Sequence, residues 1–317
     1  MPIQEQSLFP MNLREFGLFR TLVHRRTGIW IRDGKQVMLA SRLSRRLRHH
    51  GMSDFVEYYK YVQTVPSDSE EMRQLINCVT TNKTSFFRER HHFDYLASTV
   101  VPEIKSAVTR GASRSIRVWS AASSTGEEAY SIAITLLEAL KTVQIAGGVP
   151  HELSGPRTAG LPRFAMAADS PFASWKIEIV ASDIDTAVLA AGQRGVYRED
   201  TLESIAPALR SKYFLRGKDD MRGHVKVKPG IARLVEFKRI NLMDDRWPIE
   251  VRFDVIFFRN ALIYFDQKTQ DAFLRKMVRY LKPRGYLFLG NSEHIPWFHN
   301  IFAPLNQTMY RLRDGQD

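Results

Sequence analysis

The 317-residue chain lacks the features of a disulfide-bonded or membrane-spanning protein. Cys78 is its only cysteine, which excludes an internal disulfide and a zinc site built from cysteines, and we assign no metal site. No apolar stretch approaches the roughly 18 residues typical of a transmembrane helix. The start of the chain also lacks the basic and apolar segments of a secretory signal. We therefore expect a cytoplasmic protein that does not insert into membranes.

Acidic residues are outnumbered, since 34 Asp and Glu stand against 46 Lys and Arg, for a formal net charge of +12. Such an excess favours an acidic partner, such as nucleic acid, an anionic membrane surface or an acidic protein. Charge alone selects none of them, and a merely soluble basic protein is the alternative. With 44% hydrophobic and 25% charged residues, the composition is that of a globular protein.

The first eighty residues have the spacing of helices. Three leucines recur every four residues and share one helical face: Leu39, Leu43 and Leu47. This helix is rich in arginine and ends at Gly51, which is a helix stop signal. We expect Ser53 to cap the next helix, and Ser67 with Glu70 to form the capping box of a third. An all-α domain over residues 1–78 is predicted.

Beyond residue 102, short apolar runs alternate with helical patterns. The runs predict strands at 116–121, 177–182, 234–242, 253–258, 285–289 and 308–312. Alternation of this kind is typical of an α/β domain with a mostly parallel sheet. Two segments interrupt it. Residues 145–174, rich in Ala, Gly, Pro and Ser, are predicted to form a surface insertion. Residues 213–237 are predicted to form a small antiparallel hairpin attached to the main sheet.

Polar residues follow several of the predicted strands, where an open α/β sheet binds its ligand. Glu128 comes after the first strand, in a segment with neither the G-x-G-x-x-G fingerprint nor a P-loop. A nicotinamide dehydrogenase is therefore a distant alternative. The spacing of Thr125 and Glu128 is also that of a capping box, and spacing alone favours the cap. After the second strand, Asp183 and Asp185 are both candidates for binding ribose hydroxyls, and Asp183 is preferred because it is nearer the strand end. For Asp185, a cap on the next helix is a comparably good interpretation.

Two further segments carry candidate site residues. Arg259 and Asn260 follow the fourth strand, and Tyr264 comes five residues after Arg259. A tyrosine in this setting is usually a packing aromatic. Residues 80–89 lie between the two predicted domains and place six polar residues before two aromatics and Arg88. The alternative for this segment is a capped linker with a solvated arginine.

Five segments, in order along nearly the whole chain, together resemble the CheR family of chemotaxis receptor methyltransferases. They are TTNKTSFFRE (80–89), VWSAASSTGEEAYSIA (118–133), IVASDIDTAVLAAGQRGVY (179–197), FDVIFFRNALIYFD (253–266) and GYLFLGNSEHI (285–295). The resemblance implies a Rossmann-like, S-adenosylmethionine-dependent methyltransferase domain over 91–317, with a small antiparallel β-subdomain at about 213–237. Residues 79–90 would link it to the all-α domain and contribute to the cofactor site. The unusual length of the insertion departs from the family pattern.

The resemblance also implies an activity and the residues that perform it. The family transfers a methyl group from S-adenosylmethionine to glutamate side chains of chemoreceptors, which yields glutamate 5-O-methyl ester and S-adenosylhomocysteine for adaptation in chemotaxis. Cofactor contacts map to Asn82, Thr84, Arg88, Glu128, Asp183, Asn241, Leu242, Arg259 and Asn260. Arg88 and Tyr264 map to the catalytic positions nearest the transferred methyl group.

Receptor contacts follow from the same resemblance. An arginine-rich helix faces the acidic methylation helices of the receptor in this family, and here it maps to Arg42, Arg45, Arg46 and Arg48. The β-subdomain docks a peptide from the receptor C-terminus in some members. We therefore expect a cytoplasmic enzyme that associates with receptor arrays and has no nucleic-acid partner. Because no further signalling segment follows residue 317, we expect the stand-alone type.

Two other functions remain as alternatives. A nucleic-acid methyltransferase would account for the basic charge and has the same fold class. Amino-methylating members usually carry an Asp/Asn-Pro-Pro-aromatic segment after the fourth strand, whereas this chain has Arg259-Asn260-Ala261-Leu262, and no nucleic-acid-binding module is recognisable. A non-catalytic receptor-binding scaffold is the second alternative. All the matched polar positions are filled, which argues against it.

Overall fold

The computed structural model describes residues 9–141 and 175–315, and the predicted insertion at 145–174 lies outside them. From residue 9 to residue 80, the structure contains four helices: α1 (Leu13–Thr27), α2 (Gln36–His50), α3 (Phe55–Thr64) and α4 (Glu70–Val79). The predicted leucine face of α2 is confirmed, because Leu39, Leu43 and Leu47 are all fully buried. They belong to a separate apolar core that also contains Phe19 and Tyr58.

Two predicted helix caps are wrong by one or two residues. The side chain of Asp54, rather than that of Ser53, caps α3 by accepting a hydrogen bond from the Glu57 amide at 2.8 Å. Ser69, rather than Ser67, caps α4. An N-cap residue must directly precede the first helical turn in order to reach its free amides. Because Glu70 is already the first residue of α4, the spacing from Ser67 to Glu70 coincides with a capping box without forming one.

The α/β domain contains ten strands among the described residues. They are β1 (Ser115–Ala121), β2 (Lys176–Asp183), β3 (Val196–Arg198), β4 (Phe214–Arg216), β5 (His224–Val227), β6 (Val235–Arg239), β7 (Phe253–Phe258), β8 (Leu281–Leu289), β9 (Phe302–Pro304) and β10 (Met309–Leu312). Its helices are α5 (His91–Tyr95), which continues through a π-helical turn into α6 (Val101–Thr109), α7 (Glu127–Lys141), α8 (Thr186–Arg194), α9 (Pro207–Tyr213), α10 (Pro229–Ala232) and α11 (Gln267–Val278).

Seven strands form the main sheet in the order β6-β2-β1-β7-β8-β10-β9. The first five are parallel, and β10 pairs antiparallel with both β8 and β9. Neighbouring side chains on β1 enter opposite cores, since Val118 belongs to one apolar cluster and Trp119 to the other. The strand order reverses at β1, which has β2 on one side and β7 on the other. A crevice forms at such a switch point, beyond the carboxyl ends of the strands.

The small antiparallel sheet differs from the predicted hairpin. It is a separate three-stranded sheet in the order β3-β5-β4, not an attachment to the main sheet. Strand β3 of the small sheet lies outside the predicted 213–237 segment. Strand β6, at the end of that segment, is instead an edge strand of the main sheet. Residues 80–90, which connect the two domains, are called the junction loop below. The small sheet packs on this loop, because Phe86 makes edge contacts with Tyr197 and Phe214 at ring-centroid distances of 5.0 and 5.4 Å.

Among the described residues, no helix combines the length and the apolar character that crossing a membrane requires.

Candidate active site

A pocket opens at the carboxyl edge of the main sheet, at the switch point beside β1. The space between its walls is about 1070 Å³, a volume that includes its open mouth. Its walls come from the junction loop between the two domains, the loops after β1, β2, β6 and β7, and the loop after α1. Ten of the predicted site residues line it: Asn82, Thr84, Arg88, Glu128, Asp183, Asn241, Leu242, Arg259, Asn260 and Tyr264.

Asp183 is held at the end of β2 by backbone amides. Its carboxylate accepts hydrogen bonds from the amides of Ser124 at 2.9 Å and Asp185 at 3.0 Å, and the residue is 8% exposed. Burial raises the pKa of Asp183 to about 6, although the two amides act in the opposite direction. This arrangement leaves acceptor capacity on a fixed carboxylate that faces the pocket.

Glu128 and Arg259 form a buried ion pair, and this overturns the capping-box interpretation. The Glu128 carboxylate accepts from the hydroxyl of Ser120 at 2.6 Å and from Arg259 at 3.0 Å. Thr125 instead donates to Glu127, at 2.6 Å. The carboxylate of Glu128 therefore binds Arg259, which directly follows β7. Its local spacing to Thr125 says nothing about this distant partner.

The terminal nitrogens of the Arg259 guanidinium make their contacts inside the protein. Its side chain is 1% exposed, it pairs with Glu89 at 2.9 Å as well as with Glu128, and it donates to the carbonyl of Arg88. Burial raises the pKa of Glu128 despite this partner. Burial acts in the same direction on Glu89, but Arg259 and Asn260 outweigh it and hold the pKa of Glu89 below its usual value. Arg259 therefore ties the junction loop to the main sheet.

Arg88 reaches the pocket from the junction loop and is held by Asn260. Its guanidinium donates to the Asn260 side-chain oxygen at 2.6 Å and to the carbonyl of Lys83 at 3.0 Å. The Asn260 backbone is left-handed, with φ of 59°. Four other non-glycine residues of the pocket loops share this uncommon geometry: Phe87, Glu89, Ala122 and Ser124. Backbone strain of this kind is typical of functional sites.

Asp185 has a second role that the sequence did not reveal. One carboxylate oxygen caps α8 by accepting from the amides of Ala187 and Val188, which confirms the predicted cap. The other accepts from Thr80 and from Asn82, each at 2.7 Å. Asp185 therefore fixes the junction loop against β2 and orients the side chain of Asn82.

The N-terminal domain also contributes to the pocket wall. Thr27 and Ile29, from the end of α1 and the loop after it, line the pocket although neither was predicted. The amide of Trp30 donates to the carbonyl of Tyr264 at 2.7 Å, and the side chain of Asn241 donates to the carbonyl of Arg26 at 2.9 Å. The catalytic candidate Tyr264 thus lies where the two domains meet.

Comparison with known proteins agrees with this geometry. The family model described as "CheR methyltransferase, SAM binding domain" matches residues 82–147 and 164–311, and "CheR methyltransferase, all-alpha domain" matches residues 14–80. Chemotaxis protein methyltransferase 2 of Pseudomonas aeruginosa is 37% identical, over 98% of this chain and 96% of its own length. The chemotaxis protein methyltransferase of Escherichia coli is 38% identical, over 92% and 88%. The chain belongs to the CheR methyltransferase family.

The residues present fit the cofactor of a CheR protein, S-adenosylmethionine. This molecule carries a ribose diol that needs acceptors, a carboxylate that needs donors, and a sulfonium cation. Asp183 offers the acceptor, and Arg88 offers the donors. Ser123 lines the pocket with a buried hydroxyl that has no hydrogen-bond partner within the described structure, so a ligand group can satisfy it.

The predicted receptor-facing arginines of this CheR protein divide into two pairs. Arg45 and Arg48 are exposed on α2. Arg42 donates to the carbonyls of Val79 and Thr80 at 2.7 and 2.8 Å, and Arg46 pairs with the buried Glu71. A receptor contact through α2 stays a prediction, and Arg45 and Arg48 are the two arginines that are accessible enough to make it.

Proposed function

We propose that the protein transfers the methyl group of S-adenosylmethionine to glutamate side chains of chemoreceptors. The products are glutamate 5-O-methyl ester and S-adenosylhomocysteine, and the modification serves adaptation in chemotaxis-type signalling. Membership of a methyltransferase family with an S-adenosylmethionine-binding domain supports the reaction class. The observation that carries the proposal is the convergence of Asp183, Arg88 and Tyr264 on one pocket at the strand switch point.

The pocket suits a nucleophile that needs no deprotonation. A glutamate carboxylate has a reference pKa near 4.3 and is already ionised at neutral pH. Of the described residues that line the pocket, none is a histidine or a cysteine. Its two carboxylates, Glu128 and Asp183, are held by Arg259 and by backbone amides respectively. The absence of a free general base among these residues fits a carboxylate substrate better than an amine or a hydroxyl.

When bound, S-adenosylmethionine supplies an electrophilic methyl group on a positively charged sulfur. A carboxylate anion and this cation are neutralised as the ester forms, so water, which stabilises the separated charges, opposes the reaction. The protein must therefore exclude water and align the reacting groups. We assign the alignment to Arg88, whose guanidinium is already oriented by Asn260. We propose that Tyr264, which is half-buried at the domain junction, donates a hydrogen bond beside the methyl group.

The other cofactor contacts are proposed by position. Asp183 binds the ribose hydroxyls, while Asn241 and Leu242, which follow β6, lie near the adenine. Asn82 and Thr84 contact the cofactor from the junction loop. Glu128, Arg259 and Asn260 hold the shape of the pocket floor through the ion pairs and hydrogen bonds described above.

Receptor recognition is proposed to involve two surfaces. The exposed Arg45 and Arg48 supply positive charge for the acidic methylation helices of the receptor cytoplasmic domain. The small three-stranded sheet has two edge strands, β3 and β4, which a receptor C-terminal peptide can extend. We propose that the enzyme acts in the cytoplasm beside receptor arrays.

The test is methyl transfer from S-adenosylmethionine carrying a labelled methyl group to receptor-containing membranes, followed by treatment with base. A carboxyl ester releases its label as volatile methanol, whereas methylated amines and nucleic-acid bases retain theirs. Base-labile label on the receptor band supports the proposal. Base-stable label on nucleic acid or on amines contradicts it and favours the nucleic-acid methyltransferase. A protein that fails to bind the cofactor in calorimetry is instead the non-catalytic scaffold.

A further inference from the structure

Glu293 is a buried glutamate in the turn after β8, within the GYLFLGNSEHI segment, and no step above uses it. It is 3% exposed. One carboxylate oxygen accepts from the amide of Asn260 at 2.8 Å and from that of Gly290 at 2.7 Å. The other oxygen accepts from the amide of Ile263 at 3.2 Å. A single side chain therefore gathers backbone donors from the loops after β7 and β8.

The surroundings of Glu293 favour a carboxylate acceptor specifically. No ion pair to a lysine, arginine or histidine involves it among the described residues, so its partners are backbone amides rather than a cation. Burial raises the pKa of Glu293, and the converging amides oppose that rise. Each amide would be a buried, unsatisfied donor without the carboxylate, which is costly in the interior of a protein.

Gly290 shows how closely the two loops approach. A Cβ atom at this position would lie 2.8 Å from the amide nitrogen of Asn260 and 2.9 Å from its side-chain nitrogen. It would also lie 2.9 Å from the carboxylate of Glu293. The absence of a side chain at Gly290 is therefore what lets the carboxylate and the Asn260 backbone meet.

The segment that Glu293 holds contains one catalytic candidate of the proposed reaction, Tyr264, and is hydrogen-bonded to the other, Arg88. Asn260 orients the guanidinium of Arg88 through the 2.6 Å hydrogen bond, and Ile263 immediately precedes Tyr264 in a single 3₁₀ turn, Leu262–Tyr264. We propose that Glu293 is a positioning residue for methyl transfer, which fixes Arg88 and Tyr264 relative to each other from beneath the pocket. This inference rests on the proposed function.

Glu293→Gln tests the proposal with almost no change in volume. The amide keeps one oxygen, but its NH₂ group faces at least one of the backbone N–H donors, so the Asn260 side or the Ile263 side loses its acceptor. A misplacement of about 1 Å at a reacting centre can lower a rate by about 100-fold. With saturating S-adenosylmethionine and receptor, we expect the single-turnover rate to fall about 10- to 100-fold. A wild-type rate overturns the proposal.

Glu15→Gln is the matched control. Glu15 is 7% exposed and accepts a backbone hydrogen bond from Asn12 at 2.7 Å, in the first turn of α1 and outside the pocket lining. We expect this variant to retain the wild-type rate. If Glu293→Gln does not fold, Glu293→Asp keeps the charge but shortens its reach, and we expect it to fold and still react more slowly. A wild-type rate in Glu293→Asp overturns the proposal equally.

A double-mutant cycle separates positioning from a general loss of stability. If Glu293 acts by placing Tyr264, the effect of Glu293→Gln must be smaller in a Tyr264→Phe background than in the wild type. If instead the rate reductions of the two single variants multiply in the double variant, without any coupling, the proposal is overturned. The wild-type reaction in the same assay separates a failure of the proposed function from a failure of the positioning role of Glu293. Wild-type protein that forms no base-labile ester refutes the proposed function, whereas a wild-type reaction that Glu293→Gln leaves unchanged refutes only this inference.

Discussion

Arg259→Met removes the only side-chain cation that contacts both Glu89 and Glu128 in the described structure. The side chains of Arg259, Glu89 and Glu128 are 1%, 11% and 13% exposed, so little water is available to replace the lost charge. Breaking a buried pair in this way typically costs about 3–5 kcal/mol. At about 2–4 °C per kcal/mol for a domain of this size, the melting temperature should fall by about 6–20 °C.

The loss of stability should also depend on pH. Arg259 holds the pKa of Glu89 below its usual value, so this contribution is present above the ordinary glutamate pKa and is lost as the pH falls. Without Arg259, the burial that raises the pKa of both carboxylates is opposed only by hydrogen bonds from neutral donors. The variant therefore loses most stability at neutral pH, where the carboxylates are charged. The difference in melting temperature between the wild type and Arg259→Met should therefore narrow as the pH falls toward about 4.3. Thermal unfolding followed by circular dichroism at several pH values measures it.

Arg117→Met is the matched control, because Arg117 pairs with Glu178 at 2.7 Å on neighbouring strands while both side chains remain 28% and 38% exposed. An exposed pair contributes at most about 1 kcal/mol. Adding Glu128→Gln to Arg259→Met should recover part of the lost stability, since a neutral amide needs no counter-charge. Equal losses in the two arginine variants, or no recovery from Glu128→Gln, would refute this account of the pocket floor.

Three further outcomes are expected. Asp183→Asn should weaken S-adenosylmethionine binding about 10- to 100-fold, as expected for hydrogen bonds to a charged acceptor. The affinity of the wild type should decrease as the pH is lowered through about 6, the raised pKa of Asp183. Calorimetry measures both effects. Arg88→Ala and Tyr264→Phe should each slow single-turnover methyl transfer about 10-fold or more with cofactor bound. Charge reversal at Arg45 and Arg48 should raise the receptor KM, most strongly at low salt, and leave cofactor affinity unchanged.

Each of these predictions has a contradicting result, and the charge reversal also has a control variant. Unchanged affinity in Asp183→Asn, or affinity that is flat across the pH range around 6, removes Asp183 from the ribose site. Wild-type rates in both Arg88→Ala and Tyr264→Phe would withdraw their catalytic roles. Arg110→Glu, an exposed reversal at the end of α6, should leave the receptor KM unchanged. A rise equal to that of the α2 variants would make the effect one of net charge alone.

The elements that follow from local pattern were predictable from the sequence. Strand β7 was predicted with its observed bounds because a parallel strand covered on both faces reads as a continuous apolar run. The leucine spacing of α2 likewise identified its buried face. Strand β3 was missed because it has three residues, only one of them buried, and pairs with β5, which lies far along the chain.

The site was less predictable where a side chain's partner is distant. Glu128 fits a capping box by spacing, but its cation, Arg259, is 131 residues away. Arg46 reads as part of a solvated basic face until Glu71 is seen to pair with it. Asp185 and Glu293 act through backbone and side-chain donors of other loops. The motif resemblance identified the pocket residues, and only the structure separates those that face the ligand from those that hold the frame.

In the proposed reaction, the group that accepts the methyl is a receptor glutamate. The most direct measurement is mass spectrometry of receptor peptides after reaction with S-adenosylmethionine carrying an isotopically labelled methyl group. We predict label on glutamate side chains as base-labile esters, with the label accumulating about 10-fold or more slowly in Arg88→Ala. Label on lysine, on an N-terminal amine or on nucleic acid, with the receptor glutamates unmodified, would contradict the account.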